Sequence, residues 1–163
     1  MAYKLVLQDT YPSWLYPIKA HGATTIWERW DSMKPDSTFQ DPGMTSFNHY
    51  AYGAVGDWMY RTIGGIDTEE FDGAGYKQSV IKPELGGGLT FAKTSLETPY
   101  GKISSDWRLD SNTFTLQVEV PANTSASVIL PVQGYQKVQQ DGQSITGDRV
   151  RIGSGKYVFT LTK

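Results

Sequence analysis

Thr113-Phe114-Thr115-Leu116-Gln117-Val118-Glu119-Val120 alternates polar and apolar residues without a break. Successive side chains of a strand point to opposite faces, so this stretch is a strand with one buried face. Val128-Ile129-Leu130, Val150/Ile152 and Tyr157/Phe159/Leu161 repeat the signal. Asp141-Gly142 and Gly153-Ser154-Gly155 have the composition of hairpin turns, and Gly86-Gly87-Gly88 that of a turn leading into a strand. Short strands spaced by roughly 8 to 12 residues predict an antiparallel β-sandwich.

Towards the N-terminus the period changes from 2 to about 3.6. Phe47, Tyr50, Ala51, Ala54, Val55, Trp58, Met59, Thr62 and Ile63 follow the spacing of one helix face, which predicts a helix over 47–63 with a buried stripe. Thr45 or Ser46 can cap its start, and Gly64-Gly65 can supply a left-handed stop. A shorter helix is expected to begin near Thr25, and another over Ala2 to Gln8, whose Leu5-Val6-Leu7 needs an apolar partner. Three such pieces make a poor domain alone, so further helices are expected to precede them. The change of period falls at about residues 70–78, and the fold class is α+β in two parts.

Composition narrows the chemistry. With 15 Lys+Arg against 17 Asp+Glu, the chain has no surplus of positive charge to neutralise a phosphate backbone, which argues against nucleic acid as a partner. The absence of Cys removes disulfides and thiolate chemistry but leaves the compartment open, whether cytoplasm, periplasm or outside the cell. No apolar run approaches the about 20 residues that span a bilayer, so no membrane partner is expected. Metal-ligand clusters and phosphate-binding loops are also missing from the sequence, and no cofactor is expected. Aromatic residues make up 13% of the chain, with Trp14, Trp27, Trp30 and Trp58 all in the helical half. Flat rings beside polar groups suit either a core or a sugar.

Thr24-Thr25-Ile26-Trp27-Glu28-Arg29-Trp30 concentrates both possibilities. Thr25 and Glu28 have the spacing of a capping box, in which Glu at the third helical position returns a hydrogen bond to the cap amide. The same Glu28 lies between two indoles, where loss of hydration strengthens a carboxylate as a proton acceptor. His49 is equally ambiguous. On a 47–63 helix it lines up with Gly53 and Gly56, away from the apolar stripe, where the glycines make room for a packed helix or for a ligand.

Taken together, Tyr11-Pro12-Ser13-Trp14, the block from Gly22 to Asp31, Ser46-Phe47-Asn48-His49-Tyr50 with its continuation to Val55, and Gly86-Gly87-Gly88-Leu89 resemble the C-terminal part of bacterial α-L-rhamnosidases. The resemblance runs over nearly the whole chain and is densest from 11 to 65. It implies that residues 1–68 are terminal helices of an incomplete catalytic (α/α)6 barrel and 76–163 a C-terminal β-sandwich. It also implies that Glu28 is the general base of an inverting hydrolase, with His49, Trp27, Trp30 and Asn48 binding the sugar of rhamnose-containing glycosides. The family's general acid lies on earlier helices, and no segment here matches its motif. The isolated chain is therefore expected to be inactive, and its uncovered helix faces to favour self-association. The alternative is a non-catalytic module, either structural or carbohydrate-binding through Trp107, Tyr100 or Tyr135 on the sandwich.

Overall fold

The structure is a computed structural model that describes residues 1–70 and 73–163. Of the stretch 70–78 where the period changes, Phe71 and Asp72 lie outside the described residues. The chain divides into two compact units, Met1–Asp57 and Trp58–Lys163.

The described residues of the second unit form ten strands: β1 (Ile66–Thr68), β2 (Gln78–Ile81), β3 (Phe91–Thr98), β4 (Gly101–Leu109), β5 (Thr113–Val120), β6 (Ser125–Ile129), β7 (Lys137–Gln140), β8 (Gln143–Ser144), β9 (Arg149–Ile152) and β10 (Gly155–Thr162). One sheet has the order β1-β2-β6-β9 and the other β3-β4-β5-β10-β7-β8. The alternation in β5 is realised as read: Phe114, Leu116, Val118 and Val120 are buried. Phe159 and Leu161 of β10 pair with Leu116 and Phe114 and are equally buried. Ile66, Ile81, Ala126, Val128 and Ile152 bury the inner face of the smaller sheet. Each such aliphatic or aromatic side chain contributes roughly 1.5–3 kcal/mol relative to exposure, so this layer is the main source of the unit's stability. The sheets are antiparallel as expected except at one pair, where β2 and β6 run parallel. The long crossover through β3, β4 and β5 between them permits that arrangement.

Turns follow the composition. Asp141 and Gly142 both take positive φ, 49° and 82°, between β7 and β8, as a tight hairpin with right-handed twist requires. At the entrance to the sheets, Trp107 of β4 is 2% exposed and donates its indole N–H to the Ile63 carbonyl at 2.7 Å. Gly65, with φ +74°, sits so close to the Lys82–Pro83 backbone that a Cβ would lie 2.2 Å from the Pro83 nitrogen. The left-handed residue expected of the Gly64-Gly65 pair is thus Gly65, while Gly64 stays right-handed at φ −73°.

The first unit holds α1 (Ala2–Leu7) and α2 (Leu15–His21). No residue of α1 is buried; Leu5 and Leu7 are exposed. Sequence reading missed α2. Its signals are Ser13, whose Oγ accepts from the Tyr16 N–H at 3.1 Å, and Gly22, which closes the helix in the left-handed region at φ 67°. The helix expected near Thr25 is absent, since residues 22–28 form neither helix nor strand. The helix expected over 47–63 begins later, as a 3-10 turn (Ala51–Ala54) followed by α3 (Val55–Trp58) and a π turn (Met59–Ile63). Of its expected buried stripe only Ile63 is buried, and Tyr50 is 89% exposed. His49 consequently does not share a helix face with Gly53 and Gly56.

Candidate functional site

Glu28 and His49 are brought together by backbone pairing rather than by helix periodicity. The His49 N–H donates to the Ile26 carbonyl at 2.8 Å and the Glu28 N–H to the Ser46 carbonyl at 2.9 Å. Two side chains reinforce the pair. The Thr25 hydroxyl donates to the Phe47 carbonyl, and Glu28 Oε2 accepts from the Ser46 N–H at 2.9 Å. These are the groups that compose a capping box in the sequence, but their partners lie about twenty residues away. Each satisfies a backbone group of the facing segment, which removes the reason for a local helix.

The fixed carboxylate leaves one oxygen available. Glu28 is half-buried, and Oε1 accepts no hydrogen bond from a described residue. A carboxylate held at one oxygen and open at the other is suited to take a proton from a water in a defined direction. His49 is similarly committed on one side: Nδ1 accepts from the Ala51 N–H at 3.3 Å, which assigns the neutral ring's proton to Nε2 and makes that atom a donor. Its ring lies parallel to that of Tyr50, at 8° and 5.6 Å between centroids. Asn48 is exposed beside it, with its backbone N–H donating to Ser46 Oγ at 3.2 Å.

The indoles around Glu28 are mostly engaged in holding this loop. Trp27 is 7% exposed and meets Phe47 edge to face at 5.0 Å, with His21 on its other side at 5.8 Å. Trp30 stacks flat on Tyr52 at 3.9 Å, and Trp14 meets Trp30 at right angles while donating its N–H to the Tyr52 carbonyl at 2.8 Å. Such ring pairs add about 0.5–1.5 kcal/mol each beyond burial. His21 is the last residue of α2 and sits between the rings of Tyr16 and Trp27.

Next to Glu28, the Arg29 guanidinium binds the Asp31 carboxylate at 3.0 Å, and Gln40 donates to the same carboxylate at 2.8 Å. The hydrogen bond from Arg29 is the main reason that the Asp31 carboxyl is held below the usual carboxylate range, against the opposing effect of its partial burial. Gln40 carries no signal in the sequence. No local pattern links positions nine residues apart across a loop.

On the sandwich, Trp107 is buried and cannot form an exposed platform for sugars. Tyr100 lies beneath the Lys77 ammonium, 4.9 Å from the ring centre. Tyr135 is half-buried, which pushes its phenol up. Among the described residues, no group of three or more His, Cys, Asp or Glu is placed to hold a metal ion. No described helix is long and apolar enough to cross a membrane.

Known proteins share the fold and much of the sequence. Residues 1–63 match the bacterial alpha-L-rhamnosidase 6 hairpin glycosidase domain, and residues 65–144 match the bacterial alpha-L-rhamnosidase C-terminal domain. An alpha-L-rhamnosidase of Streptomyces avermitilis is 44% identical over 99% of this chain, and one of Formosa agariphila 43% identical over 91%. The crystal structure of the Streptomyces avermitilis enzyme complexed with L-rhamnose superposes with a TM-score of 0.86 over 98% of the chain. The alpha-L-rhamnosidase structure from Dictyoglumus thermophilum, 33% identical, gives the same score over 99%. The helical part is therefore of the six-hairpin glycosidase class. The chain belongs to the bacterial α-L-rhamnosidases and corresponds to a C-terminal part of them. It spans 16% of the length of the two curated relatives named above.

Proposed function

We propose that this chain supplies the general-base side of an inverting α-L-rhamnosidase site that releases terminal α-L-rhamnosyl residues. On this reading residues 1–68 are terminal helices of an (α/α)6 barrel and 76–163 its C-terminal sandwich. Helices outside this chain complete the barrel and cover the exposed apolar positions of α1. The supporting observation is the cross-loop pairing that fixes Glu28 through Ser46 and aligns its segment with His49.

In the reaction, water adds to the anomeric carbon as the glycosidic C–O bond breaks. Glu28 Oε1 takes a proton from that water, and a carboxylic acid outside this chain protonates the leaving oxygen. In inverting enzymes the two carboxyl groups stand about 6.5–9.5 Å apart, leaving room for the water. His49 Nε2 donates to a sugar hydroxyl, and Asn48 offers both donor and acceptor. Trp27 and Trp30 form the apolar surround that limits hydration of the base. The isolated chain lacks both the acid that protonates the leaving oxygen and most of the residues that hold the sugar.

Two assays test this reading. The isolated chain is expected to give no turnover of p-nitrophenyl α-L-rhamnoside; hydrolysis that disappears in Glu28→Gln would show that 163 residues suffice. Residues 1–163 spliced in place of the matching part of the Streptomyces avermitilis enzyme should restore hydrolysis. In that hybrid, Glu28→Gln should lower kcat by about 1,000-fold, roughly 4 kcal/mol, with KM little changed. A Glu28→Gln hybrid with unchanged kcat removes Glu28 from the mechanism.

A further inference from the structure

An open cleft in the first unit is lined by Tyr11, Tyr16, Asp31, Lys34, Asp36 and Gln40 together with Pro35, and has a volume of about 670 Å³. That volume lies within the range of small-molecule sites, roughly 300–1,000 Å³. Two of its walls are aromatic. The Tyr11 and Tyr16 rings meet edge to face, 5.5 Å apart at 77°, and Tyr11 is 54% exposed. The opposite side is polar and held in place by its own loop. The Lys34 N–H donates to the Thr38 carbonyl at 2.8 Å, the Ser37 N–H to the Lys34 carbonyl at 2.8 Å, and Met33 bridges Phe39. Asp36 accepts from the Thr38 N–H and hydroxyl at 3.0 and 2.6 Å, while Asp31 is held by Arg29 and Gln40.

Charge decides what such a cleft can take. Arg29 already neutralises Asp31, and the Lys34 charge, which helps lower the Asp36 carboxyl, balances Asp36, so the lining carries no net charge. Hydrogen bonds hold both carboxyls below their usual range, so both stay ionised at neutral pH, and no surplus positive charge is left to select phosphate, sulfate or a uronate. A neutral ring with many hydroxyls fits all the groups at once. Its C–H faces meet the tyrosines, its hydroxyl hydrogens meet Asp31 and Asp36, and its hydroxyl oxygens meet Lys34 and Gln40. Asp31 lies three residues beyond Glu28 on the same loop.

We propose that this cleft binds a neutral pyranose. It further rests on the general-base reading of Glu28 that this pyranose is the sugar to which the rhamnosyl group is attached. The test is a titration of the ¹⁵N-labelled chain with methyl β-D-glucopyranoside, with L-rhamnose as comparator. Saturable shifts are expected at the amides of Tyr11, Lys34, Asp36 and Gln40, with a millimolar Kd for the glucoside and at least threefold weaker binding of L-rhamnose there. Tyr11→Ala and Lys34→Met should each weaken the glucoside at least fivefold, whereas Glu28→Gln leaves its Kd unchanged. Non-saturating shifts, or equal saturation in wild type and both variants, overturn the pyranose site. Equal affinity of L-rhamnose in the cleft overturns its assignment to the attached sugar. Because Glu28→Gln is silent here and decisive in the hybrid's turnover, failure of the cleft and failure of the base are read separately.

Discussion

Residues 1–57 and 58–163 are held together by different physics. In the second unit, strands of up to nine residues pair in continuous ladders, and alternate side chains fill an apolar layer in which eight core residues are at most 1% exposed. In the first, α1 and α2 are only six and seven residues long. Its order rests on edge-to-face rings, one stacked Trp–Tyr pair, an Arg–Asp–Gln cluster and a few cross-loop hydrogen bonds. Ladders distribute stability over many equivalent bonds, so loss of one is tolerated. A cross-loop clamp concentrates positioning in a few groups, which is the arrangement a catalytic side chain needs and also the more easily disrupted one.

Four substitutions break or sharpen this contrast. Trp107→Ala should have the largest effect, about 3–5 kcal/mol from lost packing and a further roughly 1–3 kcal/mol from the orphaned Ile63 carbonyl. Urea unfolding followed by far-UV circular dichroism measures it; a loss under 2 kcal/mol would mean that the core repacks. Gly65→Ala combines a positive φ with backbone overlap at Pro83 and should cost about 3 kcal/mol or more, read from the same transition. Both changes should leave the Glu28 loop's ring contacts intact if the two units are stabilised independently.

Smaller effects should be confined to the first unit. Thr25→Val removes the hydroxyl that binds the Phe47 carbonyl and should cost about 1 kcal/mol, seen as faster hydrogen exchange at the His49 amide without change at the β5–β10 ladder. Asp31→Asn should matter least and only in one pH window. The Asp31 carboxyl is lowered in the folded state, so its contribution is fully present above the ordinary value of 3.8 and is lost as pH falls through the folded value. The variant should therefore melt below wild type at neutral pH and converge with it in strong acid. A constant Tm difference across the range would mean that the Arg29–Asp31 pair contributes nothing through its charge.

Legibility followed the same divide. Strands β5 and β10 were readable because period-2 alternation is a local signal and one face of each meets a common core. The parallel β2–β6 pair was not, since nothing in either strand specifies its neighbour. In the site, Thr25 and Glu28 were recognised as a linked pair, but their spacing pointed to a helix. The competing bonds to Ser46 and Phe47 come from residues about twenty positions away, and local propensity yielded to them. The helix over 47–63 was read too long at its start for the same reason, because Phe47 to His49 are spent on pairing with the Glu28 segment.

By itself the sequence determined the α+β class, the alternating strands, the hairpin at Asp141-Gly142 and the family carried by the Trp-Glu-Arg-Trp and Phe-Asn-His-Tyr blocks. These are properties of neighbouring residues, fixed by backbone sterics and by the period of hydrophobic side chains. Only the tertiary structure decided how Glu28 and His49 share one loop pairing, which carboxylate oxygen is tied down, and that Tyr11, Lys34 and Asp36 meet around a cleft. Those outcomes depend on which distant groups satisfy buried and half-buried polar atoms at least cost, and that competition is settled only when the whole unit has folded.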